Sequence, residues 1–251
     1  MKTTLKLVFI YLGYQLLSGA AMTIANMVWP FDGTTQVVWA LLLSSLAMTV
    51  HLISFGYIHI SQAIRPVTIP ILLCSLVYTM GGVLCCNGLS GLIPLPDWME
   101  SDFTALSHNS LGVFCMAFLA PLLEELLFRG AIMQSLYHPG DSPWRSILLS
   151  AAIFGLIHIN PAQIPYAFLM GIVFGWVTWR TGSLLPAIAG HILNNSLSVV
   201  EMLNKDTNLV QSDDLPNSIL LTMVFAGLAL TLLTSQILIR LTPSQKVTHN
   251  I

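Results

Sequence analysis

Three charged side chains lie close together in a long apolar stretch of the sequence. Glu124, Glu125 and Arg129 belong to the run APLLEELLFRG at 120–130. A charge at the centre of a membrane helix costs at least about 2.5 kcal/mol on insertion scales, so such residues face the interior of a helix bundle and find partners there. Residues four apart share one face of a helix, so Glu125 and Arg129 are expected to form an ion pair. Glu124 points elsewhere and is the carboxylate most available for chemistry.

Two other apolar stretches each carry a histidine at a helical spacing from a second residue. The pairs are Phe154-x-x-x-His158 and His191-x-x-x-Asn195. A spacing of four places both members of a pair on one stripe of a helix. Such polar residues can simply pin helices together. Their occurrence on two stretches, with an unpaired glutamate on a third, favours a site.

Two kinds of hydrolytic site fit these residues. In one, Glu124, His158 and His191 bind a metal such as Zn²⁺, with water in the open position. In the other, Glu124 and His158 hold a water directly, with Glu124 as general base, while His191 and Asn195 donate hydrogen bonds to a developing oxyanion. Both schemes hydrolyse an acyl bond in a cavity sheltered from lipid, and the residue types leave the choice open.

The composition determines which kind of fold must position these residues. Of 251 residues, 55% are hydrophobic and 8% are charged, and the mean hydropathy is +0.78. Soluble domains carry about 25% charged residues, so a water-soluble globule is excluded. A net charge of -2 offers no basic face for nucleic acid. Long continuous apolar runs indicate helices that satisfy their own backbone hydrogen bonds in lipid. The prediction is an all-α polytopic membrane protein.

The apolar runs predict about eight transmembrane helices in a single transmembrane domain at 1–251. A membrane-spanning helix needs about 20 mostly apolar residues. The predicted spans lie near 6–29, 37–59, 67–90, 109–136, 144–160, 163–180, 184–203 and 218–240. Seven of the eight Lys and Arg residues outside the fourth span then fall on one side of the membrane. By the positive-inside rule, both termini are expected in the cytoplasm.

These boundaries place the candidate residues at different depths. His158 falls near the outer end of the fifth span, Glu124 near the middle of the fourth, and His191 in the inner half of the seventh. For them to meet, the fifth helix must tilt, extend or sit deeper. Close approach of helices is expected around the GxxxG at Gly171 and Gly175, because small residues let helix backbones come together.

The three motifs resemble a known signature. The chain is similar to the CPBP family of intramembrane proteases, also called Abi, which groups CAAX prenyl endopeptidases with bacteriocin-processing and bacteriocin-immunity proteins. The resemblance spans about 120–196, whereas the first 110 residues and the last 50 share only hydropathy. It rests on three motifs in order, Glu124-Glu125-x-x-x-Arg129, Phe154-x-x-x-His158 and His191-x-x-x-Asn195.

The resemblance implies a catalytic core at 120–196 in which Glu124 activates water with His158 beside it. His191 and Asn195 would complete the site as metal ligands or as an oxyanion hole, and Glu125 and Arg129 would support it. The family has been described both as zinc metalloproteases and as metal-free, glutamate-dependent proteases. We favour the metal-free arrangement, because it needs no fourth ligand and because asparagine is a poor zinc ligand but a good oxyanion donor.

The function expected from the resemblance is hydrolysis of a peptide bond in a membrane-associated or lipidated protein or peptide. The protein is expected in the bacterial cell (inner) membrane, with the lipid bilayer and this substrate as its partners and no nucleic acid. One alternative is a proton-coupled transporter that uses the buried carboxylates as relays. A second is a non-proteolytic scaffold or immunity protein that keeps the motifs for structure.

Overall fold

The computed structural model describes residues 1–205 and 215–242, and all regular structure within these ranges is helical. Residues 206–214 and 243–251 lie outside the described residues. Eight long helices follow one another: α1 Lys2–Val28, α2 Gly33–Ser54, α3 Ile69–Leu92, α4 Ser110–Leu136, α5 Pro143–Leu156, α6 Gln163–Thr181, α7 Leu185–Lys205 and α8 Asn217–Leu241. They correspond in order to the eight predicted spans.

Five of these helices are long and apolar enough to cross a membrane by length and composition: α1, α2, α3, α4 and α8. Helix α5 is apolar but shorter. Helices α6 and α7 contain more polar residues, among them His191 and Asn195, which explains why hydropathy alone picks them out less clearly. The prediction of an all-α polytopic integral membrane protein is confirmed.

Helix α4 departs from regular α-helix beside its charged residues. It contains two π-helical stretches, Cys115–Leu119 and Glu125–Ile132, separated by one α-helical turn. In the first stretch the Ala120 N–H donates to the carbonyl of Cys115, five residues back. Pro121 has no N–H to continue the ladder, so the proline loosens this turn as its chemistry predicts. Such π-turns inside α-helices are frequently found at functional sites.

Near His191, helix α7 contacts three other helices, α3, α4 and α6. The His191 ring stacks on Phe174 of α6, with ring centroids 4.6 Å apart. Its Nδ1 lies 2.8 Å from Glu125 of α4. One residue earlier, a Cβ at Gly190 would lie 2.5 Å from Oγ1 of Thr79 in α3, so only glycine fits this approach. The candidate residues of α7 therefore lie inside the bundle.

The predicted close packing at the GxxxG is present between α6 and α5. A Cβ added at Gly171 would lie 2.9 Å from the Cβ of Ala151 and 3.0 Å from its Cα. A Cβ at Gly175 would lie 3.0 Å from Ile147. These two glycines bring the α6 backbone directly against α5, which carries Phe154.

The predicted end of the fifth helix is wrong by one turn. The span was drawn to residue 160, whereas α5 ends at Leu156 and His158 lies in the turn that follows. Ile159 has a φ of 60°, a left-handed conformation that β-branched residues rarely adopt. Asn160 precedes a proline, which disfavours helix at this position. The turn that places His158 is therefore set by contacts outside its own helix.

Candidate active site

The predicted ion pair between Glu125 and Arg129 forms in the interior of the bundle. Arg129 Nη1 donates to Glu125 Oε1 at 2.9 Å, and the two side chains are 1% and 0% exposed. The second terminal nitrogen, Nη2, donates to the carbonyl of Gly171 at 3.2 Å. The guanidinium also lies 4.4 Å from the ring centroid of Phe154 and 5.4 Å from that of Phe174. Arg129 thus ties α4 to both α5 and α6 through charge, hydrogen bonds and cation–π contacts.

His191 connects α7 to the two adjacent carboxylates. Its Nδ1 lies 2.8 Å from Glu125 Oε1, and its Nε2 lies 3.6 Å from Glu124 Oε2. Glu125 Oε1 already accepts from Arg129, so we assign the hydrogen of the second contact to Nδ1 and donation to Glu125. The Nε2 atom then faces Glu124 at a distance too long for a direct hydrogen bond. This bond to Glu125 was not predicted from the sequence, since it depends on how α4 and α7 are placed relative to each other.

The neighbouring glutamates have different surroundings. The Glu125 side chain is fully buried and accepts from both Arg129 and His191 on one oxygen. The Glu124 side chain is 15% exposed. The hydrogen bonds of the Arg129 guanidinium go to Glu125 and to Gly171, not to Glu124. Glu124 therefore keeps a carboxylate that is both partly accessible and close to an imidazole.

His158 meets this group across the ring of Phe154. Its Nδ1 lies 2.7 Å from the carbonyl oxygen of Phe154, which can only accept, so Nδ1 carries the hydrogen and Nε2 keeps its lone pair. The Phe154 ring contacts both imidazoles edge-on, with centroids 4.9 Å from His158 and 5.9 Å from His191. Both histidines therefore contact the same phenyl ring.

Asn195 lies one helical turn beyond His191 and is bound to the irregular part of α4. Its Nδ2 donates to the carbonyl of Met116 at 2.9 Å. That carbonyl lacks its usual helical partner, because the Ala120 N–H goes to Cys115 and the next residue is a proline. The Nδ2 group has two hydrogens, so one remains for another acceptor. Asn195 is therefore already oriented by α4, while half of its donor capacity is available.

The zinc alternative requires Glu124, His158 and His191 to converge on one point. Within residues 1–205 and 215–242, no group of three or more His, Cys, Asp or Glu side chains is placed to hold a metal ion. The Nδ1 atom of His191 lies at hydrogen-bond distance from Glu125, so only its Nε2 is free to bind a metal. Glu124 and His158 would have to approach the same point, about 2.0–2.3 Å from the metal.

The structure brings Glu124, Glu125, Arg129 and His191 into one contact group. Two participants were not found from the sequence: the Phe174 ring beneath His191 and the Gly171 carbonyl that accepts from Arg129. Gly171 carried a signal, because its GxxxG spacing predicted close backbone approach. Phe174 resembled any apolar residue of a membrane helix, so the sequence offered no signal for it.

Comparison with known proteins gives matches over the same part of the chain. Residues 106–197 match the model of the Rce1-like family, described as type II CAAX prenyl endopeptidase Rce1-like. Protein YdiL of Bacillus subtilis (strain 168), named as a membrane peptidase, is 27% identical over 101 residues, which are 40% of this chain and 41% of YdiL. The membrane-embedded CAAX protease MroQ of Staphylococcus aureus (strain USA300) is 32% identical over 100 residues, 38% of this chain and 40% of MroQ. The matches therefore span about two fifths of these relatives. No solved structure gives a significant match.

Proposed function

We propose that this chain, which belongs to the CPBP family of membrane proteases through its Rce1-like residues 106–197, is an intramembrane endopeptidase that uses Glu124 to activate water. The observation that carries the proposal is the division between two adjacent carboxylates. Glu125 is fully buried and bound by Arg129 and His191, whereas Glu124 is 15% exposed and faces His191 Nε2. A general base must be accessible to the water from which it takes a proton.

In the proposed reaction, the Glu124 carboxylate takes one proton from a water as its oxygen attacks the carbonyl carbon of the peptide bond. His158, whose Nδ1 faces the Phe154 carbonyl, is proposed to orient the water by accepting a hydrogen bond at Nε2 from its other O–H, which stays intact. The attack places a negative charge on the former carbonyl oxygen. When the carbon–nitrogen bond breaks, the leaving amine takes the proton from Glu124, and the carboxylate is restored.

The oxyanion is stabilised by Asn195 and His191 in this proposal. Asn195 uses the Nδ2 hydrogen that does not go to Met116. His191 is proposed to stabilise the oxyanion from Nε2, the ring nitrogen that does not contact Glu125. Fixed donors of this kind act strongly where water is excluded, and removal of one typically lowers kcat by about 10²–10³-fold. Glu125 and Arg129 support the site by holding the His191 ring in place.

The substrate is proposed to be a membrane-associated or lipidated protein or peptide, by analogy with the CAAX protease MroQ and the Rce1-like family. Residues 1–251 are proposed to form one transmembrane domain, with 120–196 as its catalytic core. The positive-inside distribution supports cytoplasmic termini in a bacterial cell membrane.

A comparison of protein termini tests this function. Membranes from cells carrying the wild-type protein, Glu124→Gln or the control Asp102→Asn, an exposed carboxylate in the short helix Glu100–Ser107, are analysed for new N- and C-termini. Termini present with wild type and control but absent with Glu124→Gln would identify the substrate. Identical termini in all three strains, with folded protein in each, would reject the proposal in favour of a scaffold or transporter.

A further inference from the structure

The side chain of Asn195 ends a line of hydrogen bonds that begins outside the three motifs. The hydroxyl of Tyr166 in α6 donates to Oδ1 of Asn194 at 2.7 Å. The Nδ2 of Asn194 donates to Oδ1 of Asn195 at 3.0 Å. The Nδ2 of Asn195 then donates to the Met116 carbonyl at 2.9 Å. Three consecutive bonds thus connect α6, α7 and the first π-turn of α4.

The chemistry of the last acceptor determines the direction of the whole line. A backbone carbonyl can only accept, so Asn195 must present its NH₂ group to Met116 and its oxygen to Asn194. Asn194 must then present its NH₂ group to Asn195 and its oxygen to Tyr166. The Asn194 oxygen can only accept, so its partner must be a donor, and the Tyr166 hydroxyl donates to it. Reversing either amide would bring two oxygens together.

Sequence and backbone explain why the carbonyl end is available. In a regular helix the Met116 carbonyl would accept from the Ala120 N–H, but that N–H donates to Cys115. In a π-helix it would accept from residue 121, which is a proline without an N–H. The carbonyl therefore needs a partner from another helix, and the side chain of Asn195 supplies it.

We propose that Tyr166 and Asn194 are positioning residues that fix the orientation of the Asn195 amide, so that its second Nδ2 hydrogen faces the oxyanion of the reaction. This inference rests on the proposed function of the site. Asn194 is 7% exposed and Tyr166 is partly buried, so water cannot readily replace the hydrogen bond between them. Without the tyrosine hydroxyl, the Asn194 oxygen loses its donor, and the Asn194 side chain is held less firmly against Asn195. Asn195 then keeps only its bond to the Met116 carbonyl as a fixed contact, and its second Nδ2 hydrogen is aimed less well at the oxyanion.

Kinetics with a quenched peptide test the inference. The peptide spans the cleavage site identified from the terminus comparison, and the enzyme is purified full-length protein in lipid vesicles. Tyr166→Phe removes one hydroxyl and keeps the ring; we expect kcat to fall about tenfold with KM unchanged. Asn194→Asp keeps the shape but cannot donate to Asn195, and we expect a loss of about a hundredfold. The control is Tyr78→Phe, at another buried tyrosine, whose ring stacks on Trp176 in the α3–α6 contact; we expect unchanged kinetics.

A double-mutant cycle separates positioning from general support of the fold. Asn195→Ala is expected to lower kcat about 10²–10³-fold, as for other oxyanion donors. If Tyr166 acts through Asn195, adding Tyr166→Phe to Asn195→Ala should cause no further loss, because coupled residues are not additive. Thermal unfolding of each variant confirms that folded protein is compared.

Each outcome bears on a specific claim. If the fold-losses in kcat of the two single variants multiply in the double mutant, the positioning role is overturned. Equal kinetics of Tyr166→Phe and Tyr78→Phe would overturn it as well. Either result leaves the proposed function intact. Cleavage that persists in Glu124→Gln would instead reject the proposed function, and the positioning role would fall with it. Loss in Tyr166→Phe that disappears in the Asn195→Ala background would establish the inference.

Discussion

His191 and Glu125 are joined by a hydrogen bond of 2.8 Å, and its acceptor is the same oxygen that accepts from Arg129 at 2.9 Å. Glu125 Oε1 therefore accepts hydrogen bonds from Arg129 of its own helix and from His191 of α7. This arrangement occupies Glu125 and leaves its neighbour Glu124 partly exposed. Two adjacent glutamates consequently have separate roles, one in holding the site together and one in the proposed chemistry.

The buried pair of Glu125 and Arg129 has an exposed counterpart with the same spacing and length. Asp141 and Arg145 are also four residues apart and 2.9 Å from each other, but their side chains are 40% and 58% exposed. Arg129→Leu leaves a buried carboxylate without its cation and is expected to lower the free energy of unfolding by about 3–5 kcal/mol. Arg145→Leu should lower it by at most about 0.5 kcal/mol.

Unfolding of purified protein in mixed micelles, followed by circular dichroism against denaturing detergent, measures both changes. Comparable stability losses for the two arginine variants would contradict the structural role assigned to Arg129. The same measurement on Glu124→Gln should show near wild-type stability, because the Arg129 hydrogen bonds do not depend on it.

Gly171 is predicted to be intolerant of even one added methyl group. In Gly171→Ala the new Cβ would lie 2.9 Å from Ala151 and 3.3 Å from the Arg129 guanidinium. Overpacking of this kind costs about 1–3 kcal/mol, and the shift of α6 should also lower cleavage. Gly19→Ala in α1 is the matched control, since no atom lies within 4 Å of its added Cβ. Equal unfolding and cleavage in the two alanine variants would argue against close α5–α6 packing as the support of Arg129.

Most of the fold followed from hydropathy, because a membrane-spanning helix must be a continuous apolar run of known length. The pair of Glu125 and Arg129 followed from helical spacing alone. The end of α5 could not be predicted from hydropathy or spacing, because this boundary depends on Asn160. That side chain donates to Asp97, some sixty residues earlier, at 2.8 Å. Contacts between distant segments leave no local pattern in the sequence.

Helical spacing predicted which candidate residues share a helix face, but not which contacts they make. His191 and Asn195 were assigned to one face of α7, and both contact α4. The bond from His191 to Glu125 depends on the relative position of α4 and α7, and the bond from Asn195 to Met116 depends on a π-turn. Neither hydrogen bond can be deduced from the positions of residues around a single helix.

The turn that presents His158 is expected to depend on Asn160. This side chain, 1% exposed, donates to Asp97 at 2.8 Å and accepts from the Trp98 N–H at 3.1 Å. Asn160→Ala removes both bonds and should cost about 1–3 kcal/mol of unfolding free energy. We also expect kcat to fall severalfold, since the His158 imidazole that is proposed to orient the water loses its support.

Ile159→Gly serves as the control for that prediction. Ile159 is 67% exposed and has a φ of 60°, so glycine removes backbone strain while sacrificing little packing. Its stability should be unchanged or up to about 1 kcal/mol higher. If Ile159→Gly destabilised the protein as much as Asn160→Ala, the isoleucine side chain, rather than the hydrogen bonds of Asn160 to Asp97 and Trp98, would support the turn.

The metal-free scheme predicts activity without zinc. Purified protein dialysed against a chelator should cleave its peptide at the untreated rate, and elemental analysis should find far less than one zinc per active chain. Loss of cleavage on chelation, with recovery when zinc alone is returned, would support the scheme in which Glu124, His158 and His191 bind the metal. In such a site His191 would bind the metal through Nε2 while its Nδ1 keeps the hydrogen bond to Glu125.

The direct test of Glu124 as the base is a comparison of wild-type and Glu124→Gln protein, purified in lipid vesicles and shown by unfolding to be equally stable. The assay is single-turnover cleavage of a peptide carrying the site identified in cells. We predict that the glutamine variant binds the peptide with similar affinity but cleaves it at least about 10³-fold more slowly, because the amide cannot accept the proton of water. Cleavage by the stable glutamine variant at the wild-type rate would contradict the assignment.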